Sequence, residues 1–205
     1  MHGKPYDYDK IADALFAPLY PPLARLILER TGVHSGRLLD VGCGAGHLGF
    51  AVLEVGDFSA ADFVDIDPQA TDIARQRTAA RGLADRVTVQ TADVQALPFA
   101  DGSFDLIVSR SSLQFWAEHT RAVSELTRVL RPDGRAYVGG GTGSSQAAAQ
   151  IQAAKARLGI QTYNGERSHA LSCDAYCALL RQLGCVCQVF ESPDEGRWLL
   201  FGRAV

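Results

Sequence analysis

The stretch LLDVGCGAGHLG, residues 38–49, decides the fold and raises the ligand question at once. An apolar run ending at Val41 reads as a buried strand, and Gly42, Gly44, Gly46 and Gly49 follow it into a helix. Glycines at such a turn admit left-handed backbone angles and close approach of a ligand, and the first turn of the helix points N–H groups into the same space. The stretch therefore reads as a site for a nucleotide-like ligand. Residues 44–49 also satisfy G-x-G-x-x-G, with Asp65 about 20 residues further on, as a dinucleotide fingerprint requires. That match alone leaves open whether the ligand is a nicotinamide dinucleotide or something else.

On both sides of this stretch the hydrophobic period alternates between helix-like and strand-like. Residues 8–32 carry apolar positions at helical spacing, interrupted by Pro18 and by Pro21 and Pro22, which predicts two helices joined by an elbow. Strands are predicted over 36–42, 61–67, 86–93, 104–110 and 135–141, and helices over 45–56, 69–83 and 120–134, the last closed by Pro-Asp-Gly. Strands and helices in short alternation predict a parallel sheet covered on both faces. The tail departs from this rhythm. After a helix over 173–184, residues 186–192 and 197–205 are joined by PDEG, which is too short for a parallel crossover and predicts an antiparallel hairpin. The fold expected is α/β, with a Rossmann-like, mostly parallel sheet of seven strands. GGGTGSSQAAAQ, residues 139–150, reads as a mobile loop entering a helix.

Composition narrows the partners. With 205 residues and 47% hydrophobic content the chain can bury one full α/β core with room for a short appendage, and a second catalytic domain does not fit. A formal charge of −3 and the lack of a Lys/Arg block argue against nucleic acid and anionic lipid, leaving small molecules as the expected partners. No apolar run approaches the roughly 18 residues that cross a bilayer. MHGKPYDYDK at the N-terminus has no apolar signal core, so the expected location is the cytoplasm. Cys173 and Cys177 can share a helix face, and Cys185 and Cys187 a strand face. Such a group could form a thiolate site, but C-x3-C and C-x-C are not the usual zinc spacings, and reduced cysteines pack well as small hydrophobes. Packing is the expected role, with no metal.

Four ordered strings go further. LLDVGCGAG resembles the first motif of the class I S-adenosylmethionine-dependent methyltransferases, and FVDIDPQATDIAR resembles their second strand with its acidic end. TADVQALPFADGSFDLIVSRSSLQFW and LTRVLRPDGRAYV resemble the next two motifs in order and spacing, so the likeness runs from about residue 36 to 138. Within that group the chain is most similar to the small single-domain enzymes that include quinone-biosynthesis methyltransferases. The resemblance implies S-adenosyl-L-methionine as cofactor, S-adenosyl-L-homocysteine as product, residues 1–35 as a helical lid, and 36–205 as the catalytic domain.

The resemblance also implies roles. Gly42, Gly44 and the Cys43 backbone would lie against the methionyl and ribose parts, and Asp40 would orient the amino group directly or through water. Asp65 would accept from both ribose hydroxyls. Asp93 would accept from the adenine amino group beside the Val94 backbone, with Ile66 and Leu97 as apolar walls. Asp67 reads as a turn or helix cap that could exchange roles with Asp65. Ser109 and Arg110 end the fourth strand beside the cofactor, and Arg110 would pair with the cofactor carboxylate, with an acidic substrate, or with a plain salt-bridge partner. Tyr8 and Tyr20, with Tyr6 and Phe16, supply amphipathic rings that could close over a sulfonium. Phe115 and Trp116 would wall the acceptor pocket or pack in the core. The glycines at 139, 140 and 141 replace the bulkier residues common at the end of the fifth strand.

A sulfonium methyl is already activated, so transfer needs a nucleophile held about 3 Å away with water excluded, and no universal catalytic residue follows. His47 reads as a solvated helix cap, and His119 as a candidate base on the substrate side. The Asn-Pro-Pro-Tyr motif of amino-group methylases and a Pro-Cys nucleophile are both absent from the sequence. The expected activity is methylation of a small molecule. Two other readings are a thiolate-assisted methylase of arsenite or another metalloid, and a non-catalytic cofactor-binding subunit of a complex. Nothing in the sequence sets the oligomeric state.

Overall fold

The computed structural model describes residues 15–158, 171–193 and 195–204. Tyr8 and most of the first predicted helix lie outside them. The elements are α1 (Tyr20–Thr31), β1 (Ser35–Val41), α2 (His47–Val55), β2 (Asp57–Asp65), α3 (Pro68–Ala80), β3 (Val87–Thr91) and β4 (Phe104–Arg110), followed by α4 (His119–Val129), β5 (Leu130–Gly140), α5 (Ser145–Leu158), α6 (Cys173–Gln182), β6 (Cys185–Ser192) and β7 (Gly196–Arg203). Seven strands form one sheet in the order β3-β2-β1-β4-β5-β7-β6. β1 pairs in parallel with β2 and β4, β2 with β3, and β4 with β5, whereas β7 runs antiparallel to both β5 and β6. Strand order reverses between β1 and β4, which is where ligands bind on open α/β sheets.

Each face of the sheet buries its own core. Leu38, Leu106, Val108, Tyr137 and Trp198 face α1 and α2, while Leu39, Val41, Ile107, Val138 and Phe201 face α4 and α6. On α4, Ala122, Val123, Leu126 and Val129 make the buried stripe that helical spacing sets. α1 ends at Gly32, whose φ of 68° supplies the left-handed cap.

Local features sharpen or change these expectations. At the proline elbow, a 3-10 turn over Ala17–Leu19 leads into α1, and Pro21 and Pro22 occupy the first turn of that helix, where a missing N–H costs nothing. Pro-Asp-Gly does not close α4, because the helix stops at Val129 and the chain from Leu130 is already extended, with a register shift in its pairing to β4. The glycines ending β5 serve strand packing. A Cβ on Gly139 would run into the Arg197 carbonyl and Trp198, and one on Gly141 into the Glu195 carbonyl, so these glycines let β7 lie flush against β5.

Candidate functional site

The glycine loop runs from β1 into α2, and its glycines serve different ends. Gly42, Gly44 and Gly46 all have positive φ, at 65°, 53° and 83°. A Cβ on Gly42 would lie 2.5 Å from the Ser112 Cβ, one on Gly46 would lie 2.7 Å from the Phe50 ring, and one on Gly49 would enter the Phe63 ring. At Gly44 a Cβ would meet nothing within 4 Å. Three of the four glycines are thus required by packing, and Gly44 alone faces open space. Its N–H donates to Asp65 Oδ2 at 2.8 Å, and the Asp67 N–H donates to Oδ1 at 3.0 Å, so the end of β2 is locked to the loop. Asp67 caps α3 by accepting from the Gln69 N–H at 2.9 Å. The Cys43 N–H donates to the Val64 carbonyl, and its thiol turns into the core with only its backbone in the loop.

Asp40 lies beneath the loop, 1% exposed, and accepts from the Gly49 N–H at 2.8 Å. Burial pushes its pKa up to about 7, the Asp65 charge adds to the rise, and the Gly49 N–H opposes it. For a carboxyl shifted upward, stability is fully present below its ordinary value of 3.8 and is lost as the pH rises through the folded value near 7. Between those limits the folded chain holds a proton that the unfolded chain has released. Asp40→Asn keeps an acceptor for Gly49 and should remove this slope. In urea unfolding, its stability relative to wild type should improve steadily from about pH 4 to about pH 7 and then level off. A difference that stays constant across that range would contradict the shift.

Beyond β3, Asp93 caps the short turn Val94–Ala96, accepting from the Gln95 N–H at 2.9 Å, while the Gln95 side-chain amide contacts both carboxylate oxygens. This clasp by Gln95 was not read from the sequence, though the D-x-Q spacing carries it. Val94 and Leu97 are buried in the core, so the apolar surface left at this edge is Ile66, 67% exposed directly after Asp65.

The end of β4 divides by pleat. Ser109 points to the α4 side, where its hydroxyl reaches the Val41 carbonyl at 2.6 Å and the Ser112 hydroxyl at 2.5 Å. Both hydroxyls are buried, and they splice the ends of β1 and β4 together. Arg110 points to the other side, toward Tyr20, whose ring stacks on His47 with centroids 5.2 Å apart. His47 is therefore no solvated cap. It is held between Tyr20 and Arg77, whose Nη1 lies 2.7 Å from its Nε2. A cavity of about 260 Å³ lies beside this stack, lined by Tyr20, His47, Phe50, Glu54 and Arg77, away from the strand-end acids. Ser111 turns the chain with φ 58°, and Phe115 is left 79% exposed. Trp116 and His119 go inward instead. Trp116 is a core residue, and His119 Nδ1 lies 2.7 Å from the Tyr176 hydroxyl, with Nε2 buried and unpartnered among the described residues. That places His119 in the contact between α4 and α6 and gives the base assignment no support.

The cysteines depart from the packing expectation. Cys177 and Cys187 form a disulfide with Cα atoms 5.5 Å apart, and Cys173 and Cys185 are free, buried thiols. The sequence pairs cysteines within elements, whereas the bond joins α6 to β6. Burial raises the pKa of both free thiols, and no group of three or more metal-ligating side chains occurs among the described residues.

The cofactor fit rests on the exposed ground between these parts: open space at Gly44, acceptors at Asp65 and Asp93, and a bare apolar side chain at Ile66 between them. A family profile described as a methyltransferase domain matches residues 39–138. A crystal structure from Methanococcus maripaludis, described as an S-adenosyl-L-methionine-dependent methyltransferase, superposes with a TM-score of 0.87 at 31% identity, covering 98% of this chain and 92% of that one. The chain belongs to the class I S-adenosylmethionine-dependent methyltransferases. Among curated proteins, the chain is 34% identical to an uncharacterised protein of Mycobacterium tuberculosis over 62% of its own length and 44% of the other's. It is 32% identical to the ubiquinone/menaquinone biosynthesis C-methyltransferase of Pseudomonas entomophila, over 67% of its own length and 55% of that enzyme's. It thus spans about half the length of the curated relatives it matches. No helix among the described residues is long and apolar enough to cross a membrane.

Proposed function

We propose that the chain transfers a methyl group from S-adenosylmethionine to a small-molecule acceptor, in the cytoplasm. The observation that carries this is the Asp65–Gly44 junction, a carboxylate at the end of β2 hydrogen-bonded to the one loop glycine that faces open space. When bound, the cofactor supplies a methyl group activated by its sulfonium. The chain supplies position. Each Asp65 oxygen accepts one backbone N–H and keeps lone pairs for the ribose hydroxyls. Asp93, steadied by Gln95, faces the adenine end, and Ile66 offers its side chain to the base.

The methionyl end then falls at the β1/β4 reversal, below Tyr20. The described part of the expected lid, residues 15–35, would exclude water there, with the Tyr20 and Phe16 rings as its inner surface. The buried, partly disulfide-bonded cysteines give the metalloid reading no support. The name of the Pseudomonas relative makes a carbon atom one acceptor class to include. Screening metabolite extracts with isotopically labelled S-adenosylmethionine tests the proposal. Label should pass to a small molecule, and S-adenosylhomocysteine should bind while NAD does not. Cofactor binding without transfer to any small molecule, together with a stoichiometric protein partner on purification, would point to the non-catalytic subunit instead.

A further inference from the structure

Arg110 is a partly buried cation at the end of β4 with no carboxylate partner among the described residues. Comparable arginines are paired: Arg30 with Glu195, Arg37 with Asp62, and Arg128 with Glu125. The Arg110 guanidinium is nonetheless held in place. Its Nε donates to the Gly141 carbonyl at 3.1 Å, its Nη1 lies 3.4 Å from the Tyr20 hydroxyl, and the Phe16 and Tyr20 rings face it at 5.0 and 5.4 Å. Nη2 has no acceptor among the described residues. A guanidinium fixed on one edge by a carbonyl and flanked by rings presents its remaining donors to a planar anion.

Its direction indicates whose anion that is. Asp65 on β2 and Asp93 after β3 draw the adenosine part away from β4, whereas Arg110 leans the opposite way, onto the end of β5 at Gly141. The cofactor placement proposed above puts groups over β4 and β5 on the acceptor's side of the transferred methyl. The 3-10 turn that follows β4 adds exposed apolar surface at Phe115.

We propose that Arg110 receives an anionic group of the methyl acceptor, so that the acceptor is a small acid, carboxylate in kind, with an apolar or aromatic body. The proposal rests on the methyltransferase reading above. A second source of the same chemistry is the cofactor's own carboxylate, and the test separates the two.

With wild-type protein saturated by S-adenosylhomocysteine, calorimetric titration should show benzoate binding about tenfold tighter than benzamide, and Arg110→Met should abolish that preference. Arg110→Lys, which keeps the charge without the fork, should retain part of it. Affinity for S-adenosylhomocysteine should stay within about twofold in Arg110→Met, since the lost guanidinium pairs with the acceptor and not with the cofactor. Equal binding of benzoate and benzamide by wild type, or no binding of either, overturns the proposal and needs no variant to fold. A loss of S-adenosylhomocysteine affinity in Arg110→Met, with 5′-methylthioadenosine unaffected, assigns the anion to the cofactor and also overturns it. Failure of wild type to bind S-adenosylhomocysteine would instead refute the cofactor reading beneath it.

Discussion

Asp65→Ala should weaken S-adenosylhomocysteine binding by about 1.5–3 kcal/mol, the range for hydrogen bonds to a charged acceptor, while leaving the chain folded. Two losses combine. The carboxylate would accept both ribose hydroxyls, and it already holds the Gly44 N–H at 2.8 Å, so its removal also releases the loop against which the cofactor would lie. Asp65→Asn should fall between, because the amide retains one acceptor oxygen but no charge. Calorimetry on the three proteins measures the effect. An unchanged dissociation constant in Asp65→Ala would move the ribose role to Asp67, and Asp67→Ala would then lose binding as well as its cap on α3.

Asp65 could be read from the sequence because its position is a local matter. A strand, an acidic end and a turn lie within a few residues, and the spacing to the glycine loop is set by one intervening helix. Residues whose roles depend on packing between distant elements could not be read in that way. Alternation along β4 puts Ser109 and Arg110 on opposite faces. Only the placement of α1 gives Arg110 its contact with Tyr20 and leaves Ser109 to tie β1 to β4. Phe115 and Trp116 are adjacent aromatics with equal claims as pocket walls, and the 3-10 turn over Leu113–Phe115 exposes one and buries the other. His47 looked solvated because Tyr20 and Arg77, which enclose it, come from α1 and α3. The Cys177–Cys187 bond needs α6 laid against β6, and no spacing within either element encodes that contact.

The glycine loop itself rests on Phe63, and the largest expected effect on stability follows from that ring. Phe63 is fully buried on β2 opposite Asp40, packs edge-on against Phe50 at 5.0 Å, and fills the space that Cβ atoms on Gly46 and Gly49 would need. Phe63→Ala should cost about 3–5 kcal/mol, a large share of the roughly 5–15 kcal/mol that holds a domain of this kind together. Gly49→Ala shows why the ring matters. Alanine in a helix is favoured over glycine by up to about 1 kcal/mol, but overpacking a filled core costs about 1–3 kcal/mol, so the substitution should destabilise the wild-type chain. With the ring removed, the added methyl group has the cavity to enter, and only the Asp40 oxygen, 2.9 Å from the Cβ position, still opposes the helical preference. Gly49→Ala should therefore be clearly less destabilising beside Phe63→Ala than in wild type. Urea unfolding of the four chains of this cycle measures the coupling. Strict additivity would mean that Gly49 is not required by the ring, and that the Asp40 oxygen, 2.9 Å from the same Cβ position, is what excludes a side chain there.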